Sequence, residues 1–235
     1  MTEPELKGPI KAVHFVHRAI LKEGQDFQEV TSMLDPDDQQ GATELNNRLA
    51  AFERILKTHE DSEDLTLFPP LEARFPDIAD TYEFDHNRHR GHAAALSATL
   101  SDLVGAQGGR RKELVKRLGE QAILFNGFMT LHIDKENELL FPTYDEVFSA
   151  EEQQAHGKAA EGRVSQQEMA AAGAWMFQRL DIEDREGFLT EMRGMLPSEA
   201  FAGMTQGLMR AIPASDWEAL VRRMPGLGSM ASRAH

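Results

Sequence analysis

Apolar residues return along this chain every three or four positions and almost nowhere alternate, which is the signature of amphipathic helices rather than strands. A first helical pattern runs from about Pro9 to about Leu34 and stops at the turn-forming Asp35-Pro36. The second begins near Thr43 and carries Leu49, Phe52, Leu56, His59, Glu63 and Leu67 on one stripe. A third follows the Pro76-Asp77 turn, carries Tyr82, His89, Leu96, Leu100 and Leu103, and is broken by VGAQGG at 104–109. The fourth carries Leu114, Leu118, Phe125, Phe128, His132, Glu136 and Leu140. Four such helices with short connections predict an all-α fold, an up-down-up-down four-helix bundle over residues 1–149.

From about residue 150 the composition shifts. The segment 151–180 is Ala- and Gln-rich and helical, and three shorter helical stretches follow, punctuated by Pro197, Pro213 and Pro225. Ser198 and the capping-box pattern Ser215-Asp-Trp-Glu are expected to open two of them. Residues 150–235 contain no catalytic motif and are read as a C-terminal helical extension, packed on the bundle or on a second subunit, so that a homodimer or a protein partner through these helices is an expectation. Trp175, Trp217 and the methionines of this region are read as packing residues.

Composition removes several chemistries. With 235 residues the chain can bury a full core. It has no cysteine, which excludes disulfides, Cys-ligated zinc, iron–sulfur clusters and thiol nucleophiles. A net charge of −14 opposes nucleic acid and anionic membrane as partners. The one basic run, RRKELVKR at 110–117, is read as a solvated helix face. Neither a run of eighteen apolar residues nor a secretory leader pattern is visible, so a cytoplasmic location is expected.

The nine histidines are unevenly placed. His59 and Glu63 stand in H-x-x-x-E-x-x-x-L-F-P, and His132 and Glu136 stand in the same string 73 residues later. His14-x-x-His17 is echoed by His86-x-x-His89 at an offset of 72. The chain therefore reads as a duplicated helical hairpin. Residues four apart share a helix face, so each motif points an imidazole and a carboxylate the same way. Both continue an apolar stripe, and so face inward. Carboxylates there carry a heavy desolvation cost unless paired or bound to metal, and no Lys or Arg lies on those stripes. Several histidines and two carboxylates without thiolate suit a pair of irons, with zinc or manganese as substitutes, the carboxylates bridging and the imidazoles capping.

These residues resemble the hemerythrin-like (HHE cation-binding) proteins, over roughly residues 10–148. The resemblance implies a non-haem diiron centre with the pattern H…HxxxE…H…HxxxE: His14 or His17, His59 with Glu63, His86 or His89, and His132 with Glu136. Helical phase favours His17, on the line of Ile10, Val13 and Ile20, and His89, on the line of Leu96 and Leu100. The family pattern favours Asp85-His86, and His92 flanks the set. Both choices stay open. Glu60, Asp61, Asp134 and Glu138 are expected on exposed faces, His156 and His235 in solvent, and Tyr82 packed inward. The resemblance further implies a centre that binds or reacts with O2, hydrogen peroxide or NO, in oxygen or iron handling or in oxidative and nitrosative stress defence. Peroxidase- or catalase-like turnover or NO reaction stands against a non-enzymatic metal-binding, oxygen-binding or sensor protein whose C-terminal helices meet a protein partner.

Overall fold

A computed structural model describes residues 6–159 and 165–227. Every regular element among the described residues is helical. After a 3-10 turn at Pro9–Ala12 come α1 (Val13–Ser32), α2 (Gln39–Thr66), the short α3 (Phe68–Glu72), α4 (Asp80–Gly105) and α5 (Gly109–Lys135). A π-helical turn, Glu136–Leu140, joins α5 to α6 (Phe141–Val147), and α7 (Ala150–Ala159) follows. The remaining helices are α8 (Gln166–Arg179), α9 (Ile182–Met195), α10 (Ser198–Ala211) and α11 (Ala214–Arg223).

The chain divides into two compact units, one of residues 1–6 and 20–160 and the other of residues 7–19 and 161–235. In sequence terms the division falls near residue 160, and the start of α1 belongs with the C-terminal helices.

In the first unit α4 packs against both α2 and α5. Its core is most of the predicted stripe, with Leu45 and Met129 added: Leu45, Leu49, Phe52 and Leu56 from α2, Leu96, Leu100 and Leu103 from α4, and Leu114, Leu118, Phe125 and Met129 from α5, all buried. Phe128, expected on that stripe, is half-buried against His92. Phe52 and Phe125 meet edge to face at 5.9 Å. Gly24 on α1 serves close approach, since a Cβ there would stand 2.7 Å from Asn126 Oδ1 on α5. Helix α2 starts earlier than the apolar pattern shows, at Gln39, because Asp38 caps it by accepting the Gly41 N–H at 2.8 Å.

The basic run at 110–117 is not wholly a solvated face. Arg111 is buried, and its guanidinium donates to Leu103 O and Gln39 Oε1, each at 2.7 Å, and to Pro36 O. It satisfies a carbonyl at the end of α4 and ties down the α1–α2 turn. A half-buried Arg48 reaches the buried Glu23, Nε to Oε1 at 2.7 Å and Nη2 to Oε2 at 3.1 Å, and joins α2 to α1 in the two-pronged geometry that arginine favours.

The second unit has its own core of Phe177, Leu180, Leu189, Phe201, Leu208 and Leu220, with Ala19 of α1. Phe15 meets Phe188 edge to face at 5.7 Å, and Arg18 pairs with Asp184. Neither Ser198 nor Ser215 caps a helix. Pro197 and Pro213 hold the cap positions in extended conformation, where the missing N–H costs nothing, and their carbonyls receive the Phe201 and Trp217 amides. A full capping box forms instead at α8, where Ser165 Oγ accepts the Glu168 N–H at 3.2 Å and the Ser165 N–H donates to Glu168 Oε2 at 2.9 Å.

Arg111→Ala is expected to destabilise the first unit by about 2 kcal/mol, because buried carbonyls lose their donor. Urea unfolding of the metal-free chain checks this, and a midpoint equal to wild type would place those carbonyls in water.

Candidate metal centre

The two H-x-x-x-E motifs lie near the ends of α2 and α5, and the proline that closes each one explains why the helix changes there. A proline has no amide and its ring collides with the carbonyl four residues back. At Pro69 the chain ends α2 and restarts as α3, with the Leu67 N–H on Glu63 O at 2.9 Å. At Pro142 it takes another course: α5 widens into a π turn, and the Phe141 N–H reaches back five residues to Glu136 O. Such turns concentrate at functional sites. Leu67, Phe68, Leu140 and Phe141 are all buried, so both Leu-Phe pairs pack inside.

His59, Glu63, His86, His132 and Glu136 are all buried. One ligand atom each from Glu63, His86, His132 and Glu136 gathers with no two more than 4.8 Å apart, and the same holds for His59, Glu63 and Glu136. Glu63 and Glu136 are common to both sets. His132 Nε2 stands 2.9 Å from Glu136 Oε1, His59 Nε2 3.4 Å from Glu63 Oε1, and His86 Nε2 3.4 Å from Glu63 Oε2 and 3.9 Å from Glu136 Oε1. Donors held about 2.1 Å from one ion stand roughly 3 to 3.5 Å from each other. Most of these separations match that spacing and exceed a good hydrogen bond. Among the described residues, neither oxygen of Glu63 and neither nitrogen of His86 has a hydrogen-bond partner. Buried polar atoms left in that state imply a missing partner, and a carboxylate and imidazole set calls for a cation.

The electrostatics agree. Burial, and then the neighbouring Glu136 carboxylate, push the Glu63 carboxyl well above the usual range. For His86, burial opposes the charged form, but the Glu136 and Glu63 carboxylates outweigh it and raise the imidazolium pKa to about 10. Without metal, a proton on His86 does part of the neutralising work that a cation would do.

The other predicted donors are placed as follows. His17 is buried and His14 half-buried, both near the start of α1 in the segment grouped with the C-terminal helices. His89 is buried and lies edge to face with His132 at 4.8 Å. Its Nδ1 is 3.7 Å from Glu60 Oε1, and it is not among the donors that gather. His92 is half-buried and stacks on Phe128. Tyr82 is buried, 6.3 Å from the His132 ring, with its hydroxyl pushed up to about 12 by burial and then by Glu136, Asp85 and Glu63.

Three expectations fail here, for Glu60, His156 and Asp61. Glu60 is buried rather than exposed, because Arg90 Nη1 reaches it at 2.5 Å. His156 is half-buried rather than solvated, since the Tyr144 hydroxyl holds its Nδ1 at 2.8 Å and Phe148 packs on its ring. Asp61 is half-buried beside Lys57, while Asp134 and Glu138 are exposed as expected. His235 lies outside the described residues.

Residues 8–144 match the hemerythrin HHE cation-binding domain. The chain belongs to the hemerythrin family. Among curated proteins it is similar to the zinc finger protein BRUTUS of Arabidopsis thaliana, 22% identical over 191 residues, which are 81% of this chain and 15% of that protein. A BRUTUS-like zinc finger protein of the same plant is 22% identical over 194 residues, 79% of this chain and 15% of the relative. The chain thus spans about 15% of the length of these relatives. No solved structure matches it. None of the helices, among the described residues, is long and apolar enough to cross a membrane.

The His86 shift gives a pH test on metal-free protein. Its folded pKa of about 10 lies above the ordinary 6.5, so the charged imidazole stabilises the fold fully below about pH 6.5 and ceases to as pH rises through about 10. The unfolding midpoint of wild type should therefore exceed that of His86→Gln most at pH 6, with the gap closing by pH 10. A gap independent of pH would show that His86 is uncharged without metal.

Proposed function

We propose that this hemerythrin-family chain is a non-haem diiron protein whose centre binds or reacts with a small oxidant: dioxygen, hydrogen peroxide or nitric oxide. The observation that carries the reading is that two buried carboxylates, Glu63 and Glu136, each belong to both sets of gathered donors. Carboxylates shared in this way suit the bridging of two cations, and a set of carboxylate oxygens and imidazole nitrogens without sulfur suits iron. One ion would be held by His86 and His132 with the two carboxylates, and the other by His59 and the same carboxylates. The long helices α1, α2, α4 and α5 form the up-down-up-down bundle that carries these donors.

Bound iron would supply redox chemistry and a coordination position for a small ligand. The protein's own part is to hold the donors and keep the site dry. Phe68 lies nearly parallel to the His86 ring at 5.9 Å, and Phe141, Leu140 and Tyr82 are buried around the same motifs. Removing water strengthens every electrostatic contact inside the site. Tyr82 stands beside His132 as part of the wall around the site, with its ring 6.3 Å from the imidazole.

Protein purified in air should contain two irons per chain, with an oxo-bridged optical spectrum that shifts on adding azide, and removal of the metal should lower its melting temperature. Glu63→Ala and Glu136→Ala should each bring the iron content below one per chain, because each removes a donor from both ions. Peroxide consumption by the loaded protein separates turnover from reversible binding. Zinc in place of iron, or iron indifferent to azide, peroxide and NO, would overturn the redox reading.

A further inference from the structure

Behind the gathered donors stands an outer row of carboxylates whose arrangement repeats from helix to helix. Asp64 on α2 places Oδ1 3.5 Å from His86 Nδ1 on α4. Asp85 on α4 places Oδ2 3.6 Å from His132 Nδ1 on α5. In both cases the nitrogen facing outward is Nδ1, while Nε2 of His86 faces Glu63 and Glu136 and Nε2 of His132 faces Glu136. Both Nδ1 atoms are buried and, among the described residues, lack a hydrogen-bond partner at normal length. The carboxylates stand about half an ångström beyond hydrogen-bonding distance, a gap that a small rotation of either side chain closes.

Asp85 is itself held. Lys135, three residues after His132 on α5, donates from Nζ to Asp85 Oδ2 at 2.5 Å and to Thr81 O at 3.1 Å. It also lies 4.3 Å from the centre of the Tyr82 ring. The same oxygen, Asp85 Oδ2, thus takes the ammonium and faces His132 Nδ1. Neither aspartate belongs to a gathered donor set.

The geometry points to Asp64 and Asp85 as the positioning residues of this centre, accepting a hydrogen bond from Nδ1–H of His86 and His132 so that Nε2 of each ring is presented to metal, with Lys135 fixing the Asp85 arm. Each imidazole is thereby held as the Nδ1–H tautomer. A ring that is not held in this way spends part of its time turned or protonated on Nε2, and binds the ion more weakly. The row also crosses the bundle: the backing group for α4 comes from α2 and that for α5 comes from α4, so the donors on neighbouring helices are set in register with one another.

This inference rests on the metal-binding reading but not on iron or on any oxidant, so Co2+ serves as the probe. Isothermal titration with Co2+ in competition with a chelator is expected to give Asp64→Asn and Asp85→Asn an affinity about 10- to 100-fold below wild type, with the visible d–d bands altered, while the melting temperatures of the metal-free proteins stay near wild type. Lys135→Met should weaken binding in the same direction and by less than Asp85→Asn. Glu60→Gln is the control. It removes a nearby negative charge that is more deeply buried than either aspartate, but one facing His89 and held by Arg90. Affinity in Asp64→Asn and Asp85→Asn equal to wild type would overturn the proposal, as would an equal loss in Glu60→Gln, which would reduce the effect to bulk charge. Wild-type protein that binds Co2+ yet ignores oxidants would sink the redox reading and leave this one standing; wild type that takes up no Co2+ would sink both.

Discussion

Burying two carboxylates side by side is the constraint around which this protein is arranged. Taking one carboxylate out of water costs on the order of several kcal/mol even after the protein relaxes, and two facing each other add mutual repulsion. Glu63 and Glu136 accept that cost on stripes that are largely apolar apart from the histidines beside them. Everything near them moderates it. The Glu136 and Glu63 carboxylates drive His86 towards its charged form against the opposing effect of burial, while burial and then the Glu136 carboxylate drive Glu63 towards its neutral one. Bound cations would resolve the conflict more completely than protons do, because they bring more positive charge to the facing carboxylates. The metal-free state is thus a compromise between charge and burial.

Much of this was legible in the sequence, because periodicity reports which face of a helix each residue takes. The stripes ending in His59-Glu63 and His132-Glu136 could be read that way, and the repeat at an offset of 73 made chance alignment a poor explanation. What periodicity cannot report is the partner across a helix interface. Glu60 and Arg111 carry charges that suggest solvent, and each is buried where a particular group reaches it: Arg90 for Glu60, and the carbonyls of Leu103 and Pro36 for Arg111. His156 stays out of bulk water for the same reason, through Tyr144.

The choice between His86 and His89 shows the limit from another side. Residues three apart share a face, so phase allowed both and leaned to His89. What separates them lies outside α4. Phe68 stacks on His86 and fixes the plane of its ring, and Glu63 and Asp64 stand at its two nitrogens. His89 instead turns Nδ1 towards Glu60, next to the cleft lined by Leu56, Lys57, Arg90 and Ala93. Contacts from α2 and from the turn after it therefore distinguish two residues that one helix treats alike.

The two halves of the repeat are equal in sequence at this point but not in backbone. Proline follows each glutamate by six positions, at 69 and 142, and each proline forbids the ordinary helical bond to the carbonyl four residues before it. In the first half the helix ends and a five-residue helix takes over, while in the second Glu136 becomes the first residue of a π turn whose extra residue is absorbed before α6 begins. A π turn adds a residue without breaking the rod, and it shifts by about 100° the face on which later side chains emerge. Phe141 and Tyr144 are thereby buried after a turn that also fixes where the Glu136 carboxylate leaves the helix. Identical motifs on unlike backbones give the centre two unlike sides, so a pair of ions bound there would not occupy equivalent positions.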